Sequence, residues 1–311
     1  MNNRADWLRD KKWGIFTHYL HGCQNSPEWT NNQGRGTTDW NECVEEFNPD
    51  LLAKQLHELG ASYLGFTINQ RTKYMCAPND TYNRITGYKP GEACSHRDLI
   101  EDVYQAINKY HIDLMLYSSG DGPVDDPIAG PAMGFSSYED KVTTDYVEKW
   151  ASVLREYSLR YGKKVKAWLV DGCYEFIGYN GQMHAVLADA LRAGNPDALV
   201  TVNHQLMHLT EQYSDCEDFI CGEMNSFTTL PTERFIQGKQ LHLWSFLGIP
   251  PMGMDENCGW NRARSKYTGE YLKHYVTSIN NVGGAVTIDV CLNRDGSIDP
   301  VQYDVLKWLT K

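Results

Sequence analysis

The sequence predicts an α/β protein of the (β/α)8 TIM-like barrel class, folded as one domain over residues 1–311. Three observations predict it. Eight short apolar, β-prone runs recur along the chain, helix-like segments separate them, and each run stops at a residue able to bind or catalyse. Eight strands over about 300 residues favour a closed barrel, because an open doubly wound sheet usually has fewer. In such a barrel the carboxyl ends of the strands share one face, where active sites sit.

The strands are expected at Trp13 to Tyr19, Ala61 to Ile68, Ile112 to Ser118, Val165 to Val170, Leu199 to Asn203, Phe219 to Gly222, Leu241 to Phe246 and Ala285 to Val290. Helical spacing of apolar residues fills the intervals. Pro49 to Leu59 stops at Gly60, a helix-ending glycine, and Ser95 to Tyr110 opens with Ser95 and Asp98 as capping candidates. Thr143 to Tyr161, Gly181 to Ala193, Tyr267 to Asn280 and Pro300 to Leu309 follow. Four long irregular stretches, His21 to Asn48, Gln70 to Ala93, Gly120 to Val142 and Gly248 to Lys266, come after strands and belong on the active face.

Composition narrows the partners. A hydrophobic content of 41% with 12% aromatics is enough for a sizeable core, which excludes global disorder. A net charge of -11 without Lys/Arg clusters excludes a nucleic-acid partner. No run approaches the ~18 apolar residues of a membrane span. The polar amino terminus lacks a signal-peptide core, so the chain as it stands is expected in the cytoplasm, with export left open. The nine cysteines contain no C-x-x-C pair, so reduced thiols are expected rather than a disulfide framework or zinc ribbon. No metal and no cofactor is expected. His204 and His208 share helical spacing without the glutamate of a zincin, and the Asn293 to Asp299 turn lacks the final glutamate of a calcium loop. Asp121, Asp125 and Asp126 read as a solvated loop. Whether the protein forms a homo-oligomer is left open.

The strand ends carry the chemistry. In order they are His18, Asn69 with Gln70, Ser118 with Ser119, Asp171, Asn203 with His204, Glu223, Trp244 with Ser245, and Asp289. Side chains alternate along a strand. Lys164 and Lys166 do not suit a packed interior, so Val165, Ala167, Leu169 and Asp171 are expected to face it, putting Asp171 in the barrel mouth. The plainer alternative is a helix-capping aspartate. Asp171 and Glu223 lie two strands apart, roughly 10 Å between strand axes. Two inward side chains can close that to the ~5–5.5 Å of a retaining glycosidase. Glu175, four residues beyond Asp171, is the rival acid.

These residues resemble a known family. K-K-W-G-I-F-T-H from Lys11, Glu28–Trp29, H-R-D-L-I from His96, W-L-V-D-G from Trp168 and the terminal G-G-A-V-T-I-D-V-x-L-N-R-D-G-S-I look like glycoside hydrolase family 29, the α-L-fucosidases, over essentially the whole chain. The resemblance implies a (β/α)8-like barrel, a carbohydrate substrate and a retaining double displacement. Asp171 matches the family nucleophile and Glu223 the position where some members carry the acid/base. His18 matches a sugar-binding histidine, and Glu28 with Trp29 a pair that contacts fucose. Asn69, Gln70, Asn203 and His204 are expected to hold hydroxyls, with Trp29 and Trp260 covering the apolar ring face.

The chain departs from the pattern in three places. Asn69, Gln70, Arg71 and Thr72 replace a His-His-Asp-Gly run, Gln205 stands where some members have arginine, and the usual C-terminal β-sandwich is not expected within these residues. The first departure implies a different hydroxyl pattern, such as an α-L-galactoside or modified fucose. A carbohydrate-binding barrel without turnover is the non-enzymatic alternative.

Overall fold

A computed structural model describes residues 4–203 and 214–311. Seven strands form one parallel sheet: β1 (Trp13–Thr17), β2 (Tyr63–Thr67), β3 (Asp113–Ser119), β4 (Val165–Asp171), β5 (Leu199–Val202), β8 (His242–Phe246) and β9 (Ala285–Val290). A two-residue antiparallel ladder, β6 (Phe235–Ile236) with β7 (Lys239–Gln240), precedes β8. The sheet order is β5-β4-β3-β2-β1-β9-β8, so the first strand lies inside the sheet and pairs with both the second and the last.

Alternation along the strands separates two cores. Phe16, Tyr63, Met115, Tyr117, Leu169 and Trp244 pack together on the concave side. Ile15, Leu64, Leu116, Trp168, Val170 and Ile288 pack outward with the helices. Both faces are covered, which is why these strands read as near-continuous apolar runs. Gly65 makes the inner packing feasible: a Cβ there would lie 2.5 Å from the Phe16 ring.

The helices form where capping and periodicity place them. Asn48 caps Pro49–Leu59 by accepting from Leu51 N, and Thr143 caps Thr144–Tyr161 by accepting from Tyr146 N. The helix expected from Ser95 begins only at Leu99, because Asp98 accepts from Glu101 N while the Ser95 hydroxyl donates to Arg97 O. Short helices also occupy the stretches expected to be irregular, among them Trp40–Glu45, Asp80–Thr86 and Ala129–Met133.

Two expectations fail locally. Phe219 to Gly222 is not a strand. Gly222 adopts φ 66°, which breaks the extended run. The segment still bridges both sheet edges: Asp218 N donates to Val200 O at 2.9 Å, and Phe219 and Glu223 make parallel bridges to Gln240 and Trp244. The parity argument fails at Val165, which packs outward. A bulge pairs Leu114 with Val165 and Met115 with Ala167, skipping Lys166. Lys166 instead lines a cavity of about 380 Å3 with Arg4, Trp7 and Leu199. From Ala167 onward the expected alternation holds. No helix among the described residues is long and apolar enough to cross a membrane.

Gly222 carries the main-chain turn that delivers Glu223. A Cβ there would sit 1.9 Å from His242 O, in a conformation side chains rarely adopt. Gly222→Ala is expected to cost about 3 kcal/mol, read as a lowered urea midpoint.

Candidate active site

Asp171 ends β4 on the concave side, and its carboxylate is held from three directions. Gly172 N donates to Oδ1 at 2.7 Å and Asn203 Nδ2 to Oδ1 at 2.9 Å. The Tyr117 hydroxyl donates to Oδ2 at 2.7 Å and itself accepts from Gln70 Nε2 at 3.0 Å. Asn203 follows β5, fixed by its own N–H to Val170 O at 2.7 Å and by its carbonyl accepting from Cys173 N at 2.9 Å. The same Asn203 Nδ2 donates to Glu223 Oε2. One amide nitrogen thus serves both carboxyl groups. A hydrogen bond spans at most ~3.2 Å, so the nearest oxygens of Asp171 and Glu223 lie within about 6 Å of each other.

That closeness sets the protonation of Glu223. Burial first, then the charge of Asp171, push its carboxyl up to about 8, against the opposing hydrogen bond from Asn203. Two like charges sharing one site disfavour joint ionisation.

His18 follows β1 and is buried. Its Nδ1 lies 2.8 Å from Asp289 Oδ1 on β9, and Asp289 Oδ2 accepts from Asn261 N at 2.8 Å. Burial raises the Asp289 carboxyl, and the bonds from His18 and Asn261 pull it back. A carboxylate acceptor fixes Nδ1 as the donor, leaving Nε2 without a protein partner among the described residues.

These groups meet in a cavity of about 340 Å3 whose walls include His18, Gln70, Asp171, Glu223, Trp29 and Trp260. The Trp260 ring lies 4.6 Å from Trp244 and 5.9 Å from His18. The Arg262 guanidinium lies 3.3 Å above the Trp29 ring, occupying one of its faces. Cys23 also lines the cavity, but burial pushes its thiol up to about 12, which leaves it inert. All nine cysteines are free.

Other expected residues fall elsewhere. Glu28 is exposed and outside the cavity walls, because its loop turns it to solvent. Asn69 is buried behind the wall, with Oδ1 accepting from Ser118 Oγ at 2.8 Å and Nδ2 without a partner among the described residues. Glu175 is exposed on a short turn away from the cavity. His204 lies outside the described residues, as do Gln205 and His208. Asp121, Asp125 and Asp126 are not a solvated trio. Asp121 is buried against Tyr138, Asp125 pairs with Arg71, and Asp126 accepts from the Tyr88 hydroxyl. Burial pushes the Asp121 carboxyl up to about 6. Among the described residues no cluster of three or more His, Cys, Asp or Glu side chains is set to hold a metal ion.

Sequence reasoning passed over Tyr117, Tyr174 and Asn261, all of which line the cavity or touch its carboxylates. Tyr117 shares the parity of Met115 on β3, so alternation held the signal. Tyr174 and Asn261 lie in loops with no such signal.

The family model for α-L-fucosidase matches residues 1–311. The chain belongs to the α-L-fucosidase family. Its fold recurs in an endo-fucoidan hydrolase of glycoside hydrolase family 107, at 13% identity and TM-score 0.72, covering 98% of this chain and 53% of that one. It recurs in an α-L-fucosidase of family 29 from Bacteroides thetaiotaomicron, trapped as a covalent intermediate, at 16% identity and TM-score 0.65, covering 99% and 74%. A second family 107 endo-fucoidan hydrolase gives 14% identity and TM-score 0.72, covering 100% and 93%. The chain spans about half the length of the first of these, with 53% of it covered. No curated protein matches by sequence.

The raised Glu223 carboxyl links stability to pH. Below its ordinary 4.5 it is neutral in both folded and unfolded chains. As pH rises the unfolded chain ionises first, so the folded state loses stability until its own carboxyl ionises near 8. Glu223→Gln is expected to gain on the parent protein across that window and hold a constant margin above it. Urea midpoints at acid, neutral and alkaline pH measure this.

Proposed function

We propose that this protein is a retaining exo-glycoside hydrolase acting on an α-L-fucosyl or closely related sugar by double displacement. The observation that carries the reading is the Asn203 amide shared by Asp171 and Glu223. It is compatible with the ~5–5.5 Å separation of a retaining pair and short for the ~6.5–9.5 Å of an inverting one. Family membership supports the same chemistry.

Asp171 attacks the anomeric carbon as the bond to the leaving oxygen breaks. Glu223, neutral at physiological pH because its carboxyl is raised to about 8, gives its proton to that oxygen. Water then attacks the glycosyl-enzyme, Glu223 takes the proton, and Asp171 leaves. Asn203 and the Tyr117 hydroxyl keep Asp171 aimed through both steps. His18, braced by Asp289, offers Nε2 to a sugar hydroxyl, and Trp260 covers an apolar ring face. The bridging segment between β5 and β8 serves as the remaining stave of an eightfold barrel.

A modified fucose or α-L-galactoside is the alternative sugar, because the expected hydroxyl contacts are incomplete. Asn69 is occupied by Ser118 behind the wall and Glu28 faces solvent, so two expected hydroxyl contacts are not made by those residues.

A panel of aryl glycosides followed by NMR tests the reading. Asp171→Ala is expected to lower turnover by at least ~10^3-fold while leaving sugar binding intact. Azide, a small external nucleophile, should partly restore release. An inverted product from the parent protein would sink the nucleophile assignment, and no turnover of any glycoside would leave a carbohydrate-binding barrel.

A further inference from the structure

A second cavity lies at the other end of the sheet, and it gathers positive charge. It measures about 380 Å3, and its walls include Arg4, Trp7, Lys163, Lys166, Asn195 and Asp197. Lys166 is the second residue of β4 and Asp171 the last. Five steps of strand, roughly 16 Å, therefore separate this cavity from the carboxyl pair.

The lysines are the unusual feature. Lys164, between them in the chain, bonds Glu101 at 2.6 Å, and Lys11 bonds Asp113 at 2.7 Å. Lys163 and Lys166 make no ion pair or hydrogen bond among the described residues. The β4 bulge skips Lys166 in the pairing with β3, and its side chain joins the cavity wall. Bulges recur where a strand re-aims a side chain beside a site. A half-buried ammonium also loses hydration, and no carboxylate offsets that loss here. The neighbouring acids are already used. Asp113 accepts from Trp7 Nε1 at 2.8 Å as well as pairing with Lys11, and Asp218 pairs with Arg192 at 2.7 Å and Arg4 at 3.4 Å. Asp197 is exposed on the rim.

The walls are held in place by main-chain contacts. Asn195 Nδ2 donates to Val165 O at 2.9 Å, beside the bulge, and Arg4 donates to Pro196 O at 3.2 Å. Trp7 packs on Tyr63, with ring centroids 5.3 Å apart. We infer that this cavity binds a pyranose carrying a phosphate or sulfate ester, with the oxyanion among Lys163, Lys166 and Arg4 and the ring against Trp7. Lysine point charges and an arginine fork both suit a tetrahedral oxyanion. The volume exceeds what a bare ion fills and falls in the range of small-ligand pockets. An indole offers a flat apolar surface to a sugar ring. The site is separate from the carboxyl pair and does not depend on the hydrolase reading.

Calorimetric titration of the whole chain reads the site without turnover. The probes are glucose 6-phosphate, glucose 6-sulfate, glucose and inorganic phosphate. At least one ester is expected to saturate a single site, with glucose silent and inorganic phosphate about tenfold weaker, and added salt should weaken the binding. Which ester binds tighter identifies the oxyanion. Lys166→Met is expected to weaken ester binding about tenfold, and adding Lys163→Met to weaken it further. A urea midpoint at or above that of the parent shows that the variant is folded. Trp260→Ala, in the other cavity, should leave ester binding unchanged. No saturation by either ester would overturn the site. Ester binding that survives loss of both lysines, or falls with Trp260→Ala, would place the ligand elsewhere and overturn it equally. Equal affinity for inorganic phosphate would overturn the ring contact with Trp7.

Discussion

The Asn203 side chain holds two carboxyl groups together that would otherwise repel. Its amide nitrogen has two hydrogens, and the structure directs one to Asp171 and one to Glu223. The position of that nitrogen is set by the β4–β5 pairing, through Asn203 N to Val170 O and Cys173 N to Asn203 O. Register between two strands therefore becomes spacing between two acids. The spacing becomes protonation, since a buried pair this close keeps one proton between them more readily than none.

The surroundings amplify the effect. Beneath the pair lie Phe16, Tyr117 and Trp244, with ring centroids 4.9 to 6.2 Å apart, a largely apolar floor. Low local polarity strengthens each charge interaction and makes an unpaired polar group costly. Asp171 answers with three donors, and Asp289 with two. Glu223 has one named donor and instead remains neutral. Environment thus treats two similar side chains differently, setting three donors on one and raising the carboxyl of the other.

Much of this was legible in the sequence, for identifiable reasons. Parallel strands buried on both faces leave unmistakable apolar runs, and seven of eight were placed correctly. Asp171 faced inward as alternation required, although the argument began from Lys166, whose bulge spoils the parity one residue earlier. Bulges leave no composition signal. Gly222 could be read as a strand end but not as a left-handed residue that turns Glu223 inward. The short helices of the active face, four to seven residues each, span too few turns for periodicity to emerge. Tyr117 was hidden by emphasis on polar strand ends, although its hydroxyl is as close to the chemistry as any residue named.

The strand-two side of the cavity follows a different logic from the carboxyl pair. Asp171 and Glu223 are fixed by main-chain register, which tolerates much change in surrounding residues. Hydroxyl contacts depend on individual side chains at loop starts, and a single change redirects them. Asn69 turns to Ser118 instead of the cavity, while Gln70, its neighbour, reaches Tyr117 and joins the network that aims Asp171. Trp29 offers one face only, since Arg262 covers the other. Polar capacity on this side of the cavity therefore braces Asp171, which is the nucleophile in the proposed reading. In the proposed reading a substrate gains binding from its ring faces more than from hydroxyls on the strand-two side.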